Sequence, residues 1–110
     1  MGAIAKTPQP PYYAVIFTSE MSEGENKGYG KMGDKMVELA SKQPGFLGVE
    51  SVRGTDGVGI TVSYWESLEA IKAWKENSLH RVAQDKGKSE WYARFGLRVS
   101  KVERDDFMNI

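Results

Sequence analysis

One histidine, two arginines four residues apart and a few large aromatics are the side chains of this 110-residue sequence best suited to chemistry. His80 is the only residue type present whose ordinary pKa lies near neutrality, which makes it the candidate general base. Its plainer role is a hydrogen-bonded histidine at the surface or the core boundary. Arg94 and Arg98 share one strand face with Tyr92, on the side of the sheet that the helices leave bare. A guanidinium there needs a partner. It can bind an anionic substrate group, or it can pair with a carboxylate such as Glu50 or Glu66. Trp65, Trp74 and Trp91 could line a pocket for a flat substrate, yet large aromatics are also ordinary core material. Trp74 fits the buried stripe of a helix, so Trp65, at a strand end, is the better pocket residue.

Composition removes several other chemistries. There are no cysteines, which excludes disulfides, thiolate metal sites and a cysteine nucleophile. A single histidine gives no His-rich metal site within one chain, and neither a metal nor a cofactor is expected. Gly28-Tyr29-Gly30-Lys31-Met32-Gly33 matches the dinucleotide fingerprint G-x-G-x-x-G. The first strand ends some ten residues earlier, however, and the chain lacks the repeated strand–helix units of a doubly wound sheet. The formal net charge is zero, which argues against nucleic acid or an acidic membrane surface as partner. The longest apolar run, Tyr12 to Phe17, is too short to span a bilayer, and no signal-peptide core precedes it. A cytoplasmic protein is the expectation.

These residues must be positioned by a small set of elements. Residues 1–11 read as a flexible N-terminal tail, because Pro8, Pro10 and Pro11 remove backbone donors and disfavour helix before them. A single domain then spans residues 12–107. Tyr12–Thr18 is apolar on both faces and predicts a central strand. Ser22-x-x-Glu25 could cap a helix that runs to about Lys42 through Tyr29, Met32, Met36, Leu39 and Ala40. Pro44-Gly45 stops it. Phe46–Arg53 and Gly59–Trp65 form an antiparallel hairpin about the turn Gly54–Gly57. Ser67 caps a second helix, whose buried stripe is Leu68, Ala70, Ile71 and Trp74. Asn77-Ser78 interrupts this helix, and Leu79–Asp85 forms a further short turn. Trp91–Val102 is the last strand.

The order βαββαβ predicts an α+β, ferredoxin-like fold: an antiparallel four-stranded sheet with helices on one face. An RNA-recognition domain shares this order. Here, though, Asp56-Gly57-Val58-Gly59-Ile60-Thr61 stands where that module needs a basic residue and stacking aromatics. Two helices cover one face of such a sheet, while the first strand is apolar on both. A homodimer, sheet face to sheet face, supplies the missing cover.

The sequence also resembles a known family. Gln43-Pro44-Gly45-Phe46-Leu47-Gly48 is one marker, and the run from Tyr64 to Trp74 is a second, more specific one. His80, Ala83-Gln84, Gly87, Trp91-Tyr92, Arg98-Val99 and Val102-Glu103-Arg104 extend them. Together they are similar to the antibiotic biosynthesis monooxygenase (ABM) domain family, over about Tyr12 to Phe107. The resemblance implies a dimeric α+β barrel. It further implies, as one branch of the family, a cofactor-independent monooxygenase acting on a small aromatic of polyketide or quinol type. His80 would be the base, Arg94 or Arg98 the oxyanion stabiliser, and Trp65 with Tyr92 the pocket walls. The alternatives are a non-catalytic ligand-binding dimer and a haem-degrading enzyme with altered ligation. The haem-degrading branch uses an asparagine on the first strand, a tryptophan on the second helix and a histidine ten residues later. Trp74 matches the tryptophan, but Gln84 stands at the histidine position and the first strand has no asparagine.

Overall fold

The computed structural model describes residues 4–21, 37–84 and 92–108, with side chains throughout except at Met21, residues 78–84 and residues 92–93. The capping box at Ser22, the glycine motif, most of the first helix, Gly87 and Trp91 lie outside the described residues. Four strands form one sheet: β1 Tyr12–Met21, β2 Phe46–Arg53, β3 Val58–Trp65 and β4 Tyr92–Val102, in the order β2-β3-β1-β4. Residues 37–41 are helical (α1), and α2 spans Leu68–Gln84.

β1 pairs antiparallel with both β3 and β4, so β3 and β4 point the same way. α2, which joins them, must therefore run back along the sheet. Its 17 residues rise about 25 Å, the length of an eight-residue strand. β2 is antiparallel to β3 and hence parallel to β1, and α1 lies in the connection between them. This is the expected α+β ferredoxin-like fold.

Both helices lie on one face. Ala40 of α1 and Ile71 of α2 join Val15 and Trp65 in the buried core, with Tyr13, Phe46, Ala70 and Trp74 packed around them. Trp65 is fully buried. Its ring meets Phe46 edge-on at 5.5 Å and stacks on Trp74 at 6.2 Å, while its indole N–H donates to Ser63 Oγ at 2.9 Å. On the other face Val52, Val58 and Ile60 remain exposed.

Several local expectations need correction. β1 continues three residues past Thr18, because Ser19 and Glu20 pair with both neighbouring strands and polarity alone does not end a strand. α2 is not interrupted at Asn77-Ser78. These residues cost only tenths of a kcal/mol in a helix, about 0.5 each, and break nothing without a proline or glycine. Ser67 is the cap, accepting the Ala70 N–H at 3.0 Å, but Leu68 is exposed rather than part of the buried stripe. It sits in the first turn, before the helix reaches the core formed by Ile71.

Among the described residues before β1, 4–11, there is no helix or strand, yet the segment is tied to the bare face of the sheet. The Ala5 N–H donates to Glu50 Oε2 at 3.0 Å, and the Thr7 hydroxyl donates to the Tyr12 phenol oxygen at 3.0 Å. The Tyr12 hydroxyl donates in turn to Asp105 at 2.6 Å, clasping the two ends of the domain together.

Gly45 ends the α1 connection at φ +87°, and a Cβ there would stand 2.7 Å from the Ala70 side chain. Gly45→Ala is therefore expected to lower stability by at least about 1–2 kcal/mol, from the left-handed backbone alone. Urea unfolding checks this: the midpoint should fall with an unchanged slope.

Candidate functional site

The helix side of the sheet has two halves. Near the end of β3 it is aromatic: Tyr13, Phe46 and Trp65, roofed by Trp74 of α2. Toward the start of β3 it is polar. Thr61 faces Ser51 of β2, with their hydroxyl oxygens 2.7 Å apart, and pairs with Phe17 of β1. Gly59 lies between Arg53 and Ser19 in register. The Arg53 guanidinium crosses it, donating to Ser19 Oγ at 2.7 Å and to the Gly57 carbonyl. Ser19 is almost completely buried and has its hydrogen bond from this arginine.

The residues singled out in the sequence divide between the two faces. Trp65 and Trp74 are in contact on the helix side, with Trp65 as the centre of the core and Trp74 half-buried against it. His80 belongs to the second half of α2; its side chain lies outside those described. Arg94 and Arg98 register with Glu20 and Ile16, on the opposite face. Arg94 pairs with Glu20 at 3.3 Å rather than with Glu50 or Glu66. Sheet order is the reason: β2, which carries Glu50, is three strands from β4, about 14 Å away. The Arg94–Glu20 pair is solvent-exposed and contributes little to stability. Tyr92 registers with Met21, after a shift between Glu20 and Met21. Its side chain also lies outside those described.

Sequence reading missed Arg53. The signal was there in the hairpin: counting back through the turn puts Arg53 opposite Gly59 and on the same face as Trp65. That count needs the register, which the turn alone left open.

On the bare face, Glu50 accepts two hydrogen bonds, from the Ala5 N–H and, at 2.5 Å, from the Tyr64 hydroxyl. Tyr64 and Tyr12 meet edge to face at 5.8 Å. Burial, followed by the bond to Glu50, holds the Tyr64 phenol well above its usual value. Burial and the bond to Asp105 raise that of Tyr12.

The sequence profile described as antibiotic biosynthesis monooxygenase matches residues 12–86, well over half the chain. The protein belongs to this family. An uncharacterized protein, YqjZ of Bacillus subtilis (strain 168), is 56% identical over 104 residues, covering 94% of this chain and 90% of that one. Solved structures of the same fold include SnoaB from Streptomyces nogalater, a cofactor-independent oxygenase, in a mutant form. It has a TM-score of 0.71 at 10% identity and covers 86% of this chain and 95% of its own. PA3566 from Pseudomonas aeruginosa gives a TM-score of 0.68 at 12% identity, covering 90% of this chain and 99% of its own. Among the described residues of this ABM protein, no helix is long and apolar enough to cross a membrane.

The two raised phenols make the ABM domain sensitive to alkali. Below pH ~10 both are protonated, folded or unfolded. Above it the unfolded chain releases these protons first and binds fewer than the folded chain, so stability falls as pH rises. Unfolding free energy measured in urea from pH 8 to 11 should decline above pH ~10. In Tyr64→Phe the decline should be shallower, from a starting value lower by about 1–2 kcal/mol, because Glu50 loses a donor.

Proposed function

We propose that this ABM protein is a cofactor-independent monooxygenase acting on a small aromatic substrate of quinol or polyketide type, and that it works as a homodimer. The observation that carries the reading is the stacked Trp65–Trp74 pair beside a polar stretch of the same sheet face. A flat ring system can rest against the half-buried Trp74, with Trp65 fixing that ring from behind. Family membership and the shared fold of SnoaB favour the same chemistry.

In this reaction the substrate is its own reductant. A base takes a proton from an activated ring CH2. The resulting carbanion passes its electrons to dioxygen and forms a carbon–oxygen bond. Loss of water from the hydroperoxide leaves a carbonyl, so that one CH2 and one O2 give one C=O and one H2O. His80 is the proposed base, since lysine is mostly protonated and carboxylates need raised pKa values to act near pH 7. Tyr92 is proposed as a further wall of the site. Arg94 and Arg98, on the face away from the helices, line the inside of the dimer. The partner there covers Val52, Val58 and Ile60, which the helices leave exposed.

The residues do not fit haem as that branch of the family holds it. β1, Tyr12–Met21, carries no asparagine, and Gln84 occupies the position of the histidine in α2.

The test uses 1,8-dihydroxyanthrone as substrate in metal-free buffer with an oxygen electrode. One dioxygen consumed per anthrone oxidised, with kcat reduced on the order of a hundredfold in His80→Ala, is the expected result. Uptake no faster than in buffer would leave a non-catalytic ligand-binding dimer. A Soret band on haemin titration that His80→Ala abolishes would instead place the protein with the haem degraders. Light scattering at micromolar concentration should give twice the 12.3 kDa chain mass, as an interface of about 1,200–2,000 Å² requires.

A further inference from the structure

A sheet face that serves only to pack against helices is cheapest when it is apolar, because every buried hydroxyl then needs a partner. The helix side of this sheet departs from that over half its length. Ser19, Ser51, Arg53 and Thr61 occupy successive positions on three adjacent strands. Ser51 is exposed and Thr61 half-buried, so their hydroxyl pair can be reached from outside. Phe17 lies across from Thr61, with its ring 5.4 Å from that of Phe95, and offers a second aromatic surface beside the hydroxyls.

Arg53 is held down in this row. A Cβ on Gly59 would fall 2.7 Å from the guanidinium carbon and 2.9 Å from Nε and Nη2. Only a glycine lets the guanidinium lie flat on the sheet and reach Ser19. The charge is thereby fixed on the floor of the helix side. From Thr61 to Trp65 is four residues, about 13 Å of strand. A fused ring system has the length to reach from the aromatic half toward the guanidinium.

We propose that Arg53, with the Ser51–Thr61 hydroxyl pair, forms an anion subsite that holds an acidic oxygen of the substrate, so that the substrate class is an aromatic carboxylate or phenolate. This rests on the reading of an aromatic site between sheet and helices. It assigns the anchoring charge to Arg53, because Arg94 and Arg98 lie on the other face. A guanidinium can meet paired oxygens through its fork of N–H groups, and of the two hydroxyls, which share one hydrogen bond, one keeps a proton to donate to the anion.

The experiment compares 2-naphthoate with 2-naphthamide, which share size and ring system but differ in charge. Binding to the full-length protein is followed by titration calorimetry and by quenching of tryptophan fluorescence. The wild-type protein should bind the carboxylate at least about tenfold more tightly than the amide, the scale of a charge-assisted hydrogen bond. Arg53→Gln should abolish that preference, chiefly by weakening the carboxylate, and Arg53→Lys should keep part of it. Should Arg53→Gln fail to fold, the double variant Ser51→Ala, Thr61→Val decides: the carboxylate should weaken severalfold and the amide less. Equal affinity of the wild-type protein for both compounds, or a preference untouched by these variants, overturns the anion subsite. If both compounds bind equally and quench fluorescence, the aromatic site stands and only the anion anchor falls. If neither binds, the aromatic site falls with it.

Discussion

Two helices can cover only one face of a four-stranded sheet, and much of this molecule follows from that. Because β1 lies between β3 and β4 and is antiparallel to both, each strand–helix–strand connection must return across the sheet. Such connections are right-handed almost without exception, which puts both helices on the same side. Ala40 and Ile71 meet over Val15 and Trp65 for this reason. The other side is left with Val52, Val58 and Ile60 at the surface, and the chain covers only part of it with its own N-terminal segment.

The two faces therefore hold their polar groups differently. On the bare face, tyrosine hydroxyls donate to carboxylates: Tyr64 to Glu50, and Tyr12 to Asp105. The acceptors are fixed, the phenols stay protonated, and the cluster joins the tail to the sheet. On the helix side an arginine and several hydroxyls share the floor with a stack of aromatic rings. Packing alone explains the aromatic half. A chain that needed only a stable core would have little use for Thr61 and Arg53 where Val or Ile would pack more cheaply.

The fold was legible from hydrophobic periodicity because its signals are local and strong. The run Tyr12–Phe17 marks a central strand, Pro44-Gly45 ends a helix, and Ser67 begins one with the hydrogen bond that its type suggests. The candidate site was less so, because it depends on register. Alternation along β4 gives no sign of the register shift between Glu20 and Met21. The partner of Arg94 was sought among carboxylates near in pattern, whereas strand order brought Glu20 to it from β1. Arg53 escaped notice because a lone arginine at a strand end reads as a solvated residue until the glycine across from it is known. Trp65 was visible as important, but its place in the middle of the core came from tertiary packing.

The clasp of Thr7, Tyr12 and Asp105 has a topological consequence. It brings the beginning and the end of the domain onto a single phenol oxygen, so the backbone is nearly a closed ring. The pairing of β1 with β4 spans almost the whole sequence and is the contact whose loop costs most entropy to close. A circular permutant linked across the clasp and opened at the exposed Gly54–Gly57 turn would turn that pairing into a hairpin. Its β2–β3 pairing would become the distant one. The same native sheet would then be reached by a different sequence of loop closures, with β1 and β4 meeting first.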